Sequence, residues 1–332
     1  SVIYIKKSFQ AMNMANNKIL VFTVGLGVYI KAAKRLVNAL VQLDMKDYQV
    51  MLVDQCLLRS VAEEAGFKPN GFSSDKRGFG FWTWKPLLIS YFLDQGYRSI
   101  VYLDAGCEIN PEMLKNTIYW FENYSPEELL LSRTYHSISD YTKPSVISFF
   151  QKQFNLNVDV SKVEMSQCSV ILTKNTSDVS RFFAEVSELI KFEDGFLFND
   201  KKLNDDKGFI DHRHDQSVMN LLLLSSGLDL QVGVIDSSLT PPAHKEGWGG
   251  APPVIAARNV SYASYYNLLL RYGEKKHIPY FYWLIVKIKR LLISLSFGSE
   301  GLLSVFNKYP NNGRFHPPKV IAYPIEMRGE SE

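Results

Sequence analysis

The sequence predicts an α/β fold built on a Rossmann-type mixed sheet with helices on its faces, and three stretches carry that prediction. Residues 18–25, Lys-Ile-Leu-Val-Phe-Thr-Val-Gly, read as a strand, about 29–43 as a helix, and 48–54 as a second strand ending in Asp54. A strand, helix, strand order implies a parallel pair with a right-handed crossover. The third stretch, Ser99-Ile100-Val101-Tyr102-Leu103, is an apolar run of the kind found in central strands buried on both faces. It stops at Asp104-Ala105-Gly106, so a carboxylate stands at the carboxyl end of a central strand, where ligands of open α/β sheets bind. Asp beside Gly also turns chains with no ligand present, and both roles stay open for Asp104.

The remaining elements follow in order. Residues 1–17 read as a lead-in. A helix is expected from about Pro86 to Asp94, with proline in its first turn, where a missing N–H costs nothing. A strand at Leu129–Leu131, a helical stretch near 146–154, a strand at about 169–173 and a helix at about 177–192 come next. Residues 193–214 are rich in Asp, Asn, Lys and Gly and read as a loop beside a cleft. The spacing of Val218, Leu221 and Leu222 then predicts another helix. No internal repeat or low-complexity tract is seen. Gly25-Leu26-Gly27 lacks the third glycine of a dinucleotide fingerprint.

Composition narrows the function classes. The chain has 332 residues, 46% of them apolar, and a net charge of +3. That suits a globular protein and gives no general pull toward nucleic acid. Cys56, Cys107 and Cys168 have no paired spacing, so neither a zinc site nor a disulfide framework is indicated, and a reducing cytosol is expected. No signal-peptide pattern is read at the N-terminus.

Three blocks offer chemistry. Lys76-Arg77-Gly78-Phe79-Gly80-Phe81-Trp82-Thr83-Trp84-Lys85-Pro86 sets cations beside aromatic rings suited to stacking on a base or sugar, with glycines that allow close approach. The same rings also suit a core. Asp211-His212-Arg213-His214-Asp215-Gln216 precedes a helix, where Asp215 serves as an N-cap, as a catalytic group, or both. His212 and His214 share one side of an extended segment, with no third metal ligand matched to them. His244-Lys245-Glu246-Gly247-Trp248 opens a glycine-rich turn bearing two cationic donors.

Tyr102-Leu103-Asp104-Ala105-Gly106 resembles the strand and DxD element of nucleotide-sugar glycosyltransferases of the GT-A fold. Ser166-Gln167-Cys168-Ser169-Val170, Asp215-Gln216-Ser217 and the His244 block resemble, in order, the later motifs of retaining members similar to glycogenin and lipopolysaccharide galactosyltransferases. The Trp82-Thr83-Trp84-Lys85-Pro86 segment resembles one carried by polysaccharide-assembly transferases. The resemblance covers residues 18–260 and implies a GT-A-like catalytic domain there. It implies that Asp104, Gly106, Arg77, Lys85, Trp84, Thr23, Asp54, Gln167, His244 and Lys245 contact the donor, and that Asp215, His214 and Gln216 act at the transferred sugar and acceptor. Arg77, Lys85, His244 and Lys245 are expected on the leaving diphosphate. In the family the second Asp of DxD helps hold Mn²⁺ or Mg²⁺; here Gly106 stands there. A metal would therefore rest on Asp104 with Glu108 or His244, and otherwise cations and backbone N–H groups meet the diphosphate.

Residues 261–332 are expected to form a helical extension. Its segment 278–296 mixes aromatic and aliphatic residues with Lys287, Lys289 and Arg290, and is too short in its apolar run to span a bilayer. It suits either the surface of an anionic membrane or packing on a protein. The expected activity is a hexosyltransferase-type transfer from a nucleotide-sugar to a hydroxyl of a surface glycan or lipid-linked glycan, lipopolysaccharide O-antigen or capsule. The expected place is the cytoplasm or the inner face of its membrane. The alternatives are a nucleotidyltransferase on a similar sheet and an inactive nucleotide-sugar-binding protein.

Overall fold

The computed structural model describes residues 2–3, 18–43, 47–67, 72, 76–201, 208–225, 227–235, 254–255 and 320–322. The strands are β1 (Val2–Ile3), β2 (Ile19–Val24), β3 (Tyr48–Val53), β4 (Ser99–Leu103), β5 (Glu108–Ile109), β6 (Leu129–Ser137), β7 (Glu164–Lys174), β8 (Val232–Ile235), β9 (Val254–Ile255) and β10 (Val320–Ala322). The helices are α1 (Ile30–Val41), α2 (Gln55–Glu64), a single turn α3 (Gly78–Phe81), α4 (Trp84–Asp94), α5 (Pro111–Asn123), α6 (Pro144–Gln153), α7 (Ser177–Lys191) and α8 (Asp215–Ser225).

Eight strands form one sheet in the order β1-β3-β2-β4-β7-β6-β8-β10, and β5 pairs with β9 apart from it. From β1 to β4 the pairing is parallel; β7 runs antiparallel to both β4 and β6, and β10 runs antiparallel to β8. This is the mixed, helix-flanked sheet expected of a GT-A-like Rossmann-type fold. Val2–Ile3, inside the segment read as a lead-in, forms one edge, and Val320–Ala322, inside the expected extension, forms the other. The rest of the 261–332 segment, 278–296 included, lies outside the described residues, as do His244 and Lys245.

Period-two alternation sorts the strands between two cores. Leu20, Phe22, Ile100 and Tyr102 point to one face, where they meet α2, α4, α6, α7 and α8. Val21, Val101, Leu103 and Leu130 point to the other, against Leu36, Val37 and Leu40 of α1 and Leu114, Ile118 and Phe121 of α5. Side-chain caps start the helices: Asp54 accepts from the Cys56 and Leu57 N–H groups, Asn110 from Met113 and Thr176 from Val179. One oxygen of the Asp54 carboxylate, a candidate for the nucleotide, thus serves as the cap of α2.

β6 and β7 run well past their apolar stretches. Their polar halves, Ser132–Ser137 and Glu164–Gln167, stay in strand because they pair with each other across two register shifts. Among the described residues, no helix is long and apolar enough to cross a membrane.

β2 sends its chain to β3 on one side, and β3 returns over it to β4 on the other, so the β2/β4 boundary is a topological switch point. Phe22 sits beneath it, fully buried, with its ring centroid 5.1 Å from those of Phe92 and Tyr102. Phe22→Ala is expected to lower unfolding free energy by about 3–5 kcal/mol, measured by urea denaturation. A loss under about 1 kcal/mol would show that this packing does not hold the sheet.

Candidate active site

A cleft of about 550 Å³ opens at that switch point. Val24 and Leu26 line it from the end of β2, Asp104–Cys107 from the end of β4, Gln167–Ser169 from β7, and Arg213–Gln216 from the start of α8. Of the expected site residues, Asp104, Gly106, Arg77, Trp84, Lys85, Gln167, His214, Asp215 and Gln216 meet there. Thr23 does not line the cleft and is fully buried in β2, with its hydroxyl unpartnered among the described residues.

The aromatic block is the cleft's side wall. Gly78, Phe79, Gly80, Phe81 and Trp82 take five successive left-handed conformations, with φ of 58°, 56°, 103°, 59° and 57°. Hydrogen bonds lock the turn: Trp84 Nε1 donates to Gly78 O at 2.9 Å and Thr83 Oγ1 to Gly80 O at 2.7 Å. Phe79 lies against Gly27 and Trp82 over Gly78, where a Cβ atom would stand 2.6 Å and 2.4 Å from the rings. Both glycines are therefore required for the wall to close. Trp84 meets Tyr102 edge-on, while Phe81 and Trp82 lean on the His214 ring.

At the cleft floor, Lys85 is buried between two carboxylates. Its Nζ lies 3.4 Å from Asp104 Oδ1 and 3.0 Å from Asp215 Oδ2, and donates to Cys168 O at 2.8 Å. Burial opposes the ammonium charge, but Asp104 and Asp215 outweigh it and hold the Lys85 pKa above the usual lysine range. Burial pushes the Asp215 carboxyl up to about 6, with Asp104 adding to the rise, against the pull of Lys85. Tyr102 donates its hydroxyl to the same Asp104 oxygen, and burial raises its own pKa.

The expected cations for a diphosphate are differently placed than the resemblance implies. Lys85 is spent on Asp104 and Asp215, and Arg77 is spent on Asp211, at 2.9 and 3.1 Å in a bidentate pair, with Asp200 at 3.4 Å. A guanidinium so paired has less to offer a third anion. Lys76 and Arg213 also line the cleft; Arg213 lies over the Tyr141 ring, and neither has an ion-pair partner among the described residues. Glu108 does not join Asp104: it is buried against Arg35 at 3.3 Å. Among the described residues, no three His, Cys, Asp or Glu side chains form a metal-holding group, and Asp104 offers one carboxylate oxygen beyond the one held by Lys85 and Tyr102. These residues by themselves do not fit a metal centre.

The two histidines divide. His212 is buried with both ring nitrogens on backbone, Nδ1 facing Lys143 N–H and Nε2 facing Leu197 O, and burial lowers its pKa to about 3. It is a structural side chain. His214 Nδ1 meets the Phe198 carbonyl, which only accepts, so the proton sits on Nδ1 and Nε2 keeps its lone pair. Burial lowers the His214 pKa as well. Among the described residues Gln167 Oε1 and Ser169 Oγ have no hydrogen-bond partner, His214 Nε2 has only the Asp200 carboxylate at 3.5 Å, and Asp215 Oδ2 has only its ion-pair contact with Lys85. All four buried atoms belong to cleft-lining residues.

Asp215 gives a pH prediction. Its folded pKa, near 6, stands above the ordinary carboxylate value of 3.8. Its stabilising contribution is therefore full below about pH 4 and lost as pH rises through 6. The melting temperature of the wild type is expected to fall relative to Asp215→Asn between pH 5 and 7. Parallel pH profiles would show that Asp215 is ionised throughout.

No protein-family model matches this sequence, and no curated protein does. Among solved structures, the chain is similar to mouse xyloside xylosyltransferase 1, at 13% identity over 67% of this chain and 85% of that one, with a TM-score of 0.38. It is similar to the bifunctional glycosyltransferase WbbM at 13% identity over 63% of this chain, TM-score 0.36, and spans only 37% of that chain. It is also similar to 4-diphosphocytidyl-2C-methyl-D-erythritol synthase from Anaerococcus prevotii, at 11% identity over 69% of this chain and 90% of that one, TM-score 0.33. These overlaps are loose, and the fold assignment rests on the strand order described above.

Proposed function

We propose that this protein transfers a sugar from a nucleotide-diphosphate donor to a hydroxyl of a glycan acceptor. The observation that carries the reading is the set of unfilled hydrogen-bonding atoms in the cleft. His214 Nε2 and Gln167 Oε1 are acceptors, Ser169 Oγ both accepts and donates, and Asp215 Oδ2, met by Lys85 at 3.0 Å, keeps a second lone pair. Buried acceptors without partners are costly. A ligand carrying several hydroxyl donors satisfies them together, and a pyranose is such a ligand.

In this reading the aromatic wall of Phe79, Trp82 and Trp84 covers an apolar face of the ligand, and Asp104, fixed by Tyr102 and Lys85, orients the donor. Lys76 and Arg213 are the described side-chain cations left for the leaving diphosphate, with His244 and Lys245 proposed to join them. His214 Nε2, with the Asp200 carboxylate 3.5 Å away to steady the imidazolium that would form, is proposed to take a proton from a hydroxyl, and Asp215 to hold the sugar. The acceptor is proposed to be a surface glycan or its lipid-linked precursor, of the O-antigen or capsule kind. Residues 278–296 would bring the enzyme to an anionic membrane surface on the cytoplasmic side. What supports these finer assignments is the resemblance of the Trp82–Pro86 segment to polysaccharide-assembly transferases and the basic, aromatic composition of 278–296.

The test is a thermal-shift screen of nucleotide-sugars with Mg²⁺, Mn²⁺ or EDTA, followed by assay of donor hydrolysis and transfer. One or more donors are expected to stabilise the protein. Asp104→Ala is expected to lower turnover by about a hundredfold or more while the protein stays folded, since Lys85 keeps Asp215. Binding without any turnover would favour the inactive binding protein; pyrophosphate release from a nucleoside triphosphate would favour the nucleotidyltransferase.

A further inference from the structure

Arg35 stands on the buried face of α1, between Ala32 and Leu36, and is only 6% exposed. Its Nη2 donates to Ala105 O at 3.2 Å and to Cys107 O at 2.7 Å, and its Nη1 lies 3.3 Å from Glu108 Oε1, itself 2% exposed. The guanidinium thus grips the turn after Asp104 from behind. Ala105, Gly106 and Cys107 line the cleft; Arg35 does not.

The peptide bonds are trans, with C=O and N–H pointing in opposite directions. The Ala105 carbonyl is drawn onto Arg35, so the N–H of the same peptide, that of Gly106, points the other way, away from Arg35. Gly106 is buried, and among the described residues nothing accepts a hydrogen bond from its N–H. A buried N–H left over in this way is rare in a finished fold. The Cys107 N–H, by contrast, is used within the turn, on Asp104 O at 2.9 Å.

We propose that the Gly106 N–H is a binding donor for a diphosphate oxygen, and that Arg35 is the positioning residue that aims it. The inference rests on the reading of the cleft as a nucleotide-diphosphate site. Lys85 supports it: by neutralising part of the carboxylate charge at the floor, it lessens the repulsion an anion would meet there. The position that carries a carboxylate in the DxD pattern would then act through its backbone, with glycine letting the ligand approach closely.

The probe is inorganic pyrophosphate, added with and without Mg²⁺ to protein labelled with ¹⁵N at its 20 glycines. Gly106→Ala identifies the Gly106 resonance by its loss. Pyrophosphate is expected to move that resonance downfield. In Arg35→Met, with the other glycine resonances in place, the response is expected to vanish and the dissociation constant to rise about tenfold. Arg35→Lys, which keeps the charge but cannot hold both carbonyls with one planar fork, decides the matter if Arg35→Met does not fold; its affinity must fall too. A Gly106 resonance that stays still at saturating pyrophosphate, or variants that bind as tightly as the wild type, overturns the proposal. A protein that answers pyrophosphate at Gly106 yet turns over no nucleotide-sugar keeps this assignment and overturns the transfer reading alone. One that transfers sugar while Gly106 stays silent does the reverse.

Discussion

The buried ammonium of Lys85 is the constraint around which the cleft is arranged. An unpaired charge at 3% exposure would cost several kcal/mol, so whatever surrounds it must supply anions and acceptors in good geometry. They come from three separate elements: Asp104 after β4, Asp215 at the start of α8 and the Cys168 carbonyl of β7. One cation from α4 therefore fixes the mutual positions of residues far apart in sequence. Removing it would leave the buried Asp215 carboxyl, which burial already holds up near 6 against the pull of Lys85, facing Asp104 with no cation between them.

The same charge count explains how the other cations are used. Lys85 is consumed by the floor, and Arg77 by Asp200 and Asp211 at the rim, so neither is a spare cation for a ligand. Arg35 is consumed on the far side of the Asp104 turn. What remains within the cleft is Lys76 and Arg213, without ion-pair partners among the described residues, and a set of acceptors with hydroxyl-binding chemistry next to one turn of backbone. A site of that kind discriminates by hydrogen-bond pattern more than by net charge, and suits a polar, mostly neutral moiety joined to an anionic one.

Much of this was legible in the sequence, for identifiable reasons. The central strands are legible because both faces are buried, which makes β2 and β4 almost wholly apolar, with only Thr23 and Ser99 polar. Asp104, Lys85 and Asp215 stood out because each interrupts or precedes such a run. The pairing of Lys85 with both carboxylates was not legible, since it depends on α4 and α8 meeting at the ends of β4 and β7. The polar halves of β6 and β7 were hidden because their pairing, not their hydrophobicity, keeps them in strand. Arg35 carried a signal that went unread: it lies at helical spacing within the apolar stripe of Ala32, Leu36, Val37 and Leu40, a place where a charge implies a buried partner. Asp54, another strand-end carboxylate, caps α2 through its Oδ1.

The left-handed turn at Gly78–Trp82 bears on why the aromatic block has its particular spelling. An L-residue in that conformation costs roughly 1–2 kcal/mol, so three aromatic residues there represent a real burden, and glycine at 78 and 80 keeps it from being larger. A right-handed turn of the same length would avoid the cost but would carry the rings in a different rotation. The observed hand sets Phe79 against Gly27, Trp82 over Gly78 and beside His214, and Phe81 against the same histidine. It also delivers the chain into α4 with Lys85 pointing inward. The strain is held by two side-chain-to-backbone hydrogen bonds and by ring contacts on both sides, the over-determination that lets an unfavourable backbone persist at a site. The wall and the buried cation are therefore products of one local conformation, and a change that relaxed the turn would disturb the cleft side and the cleft floor together.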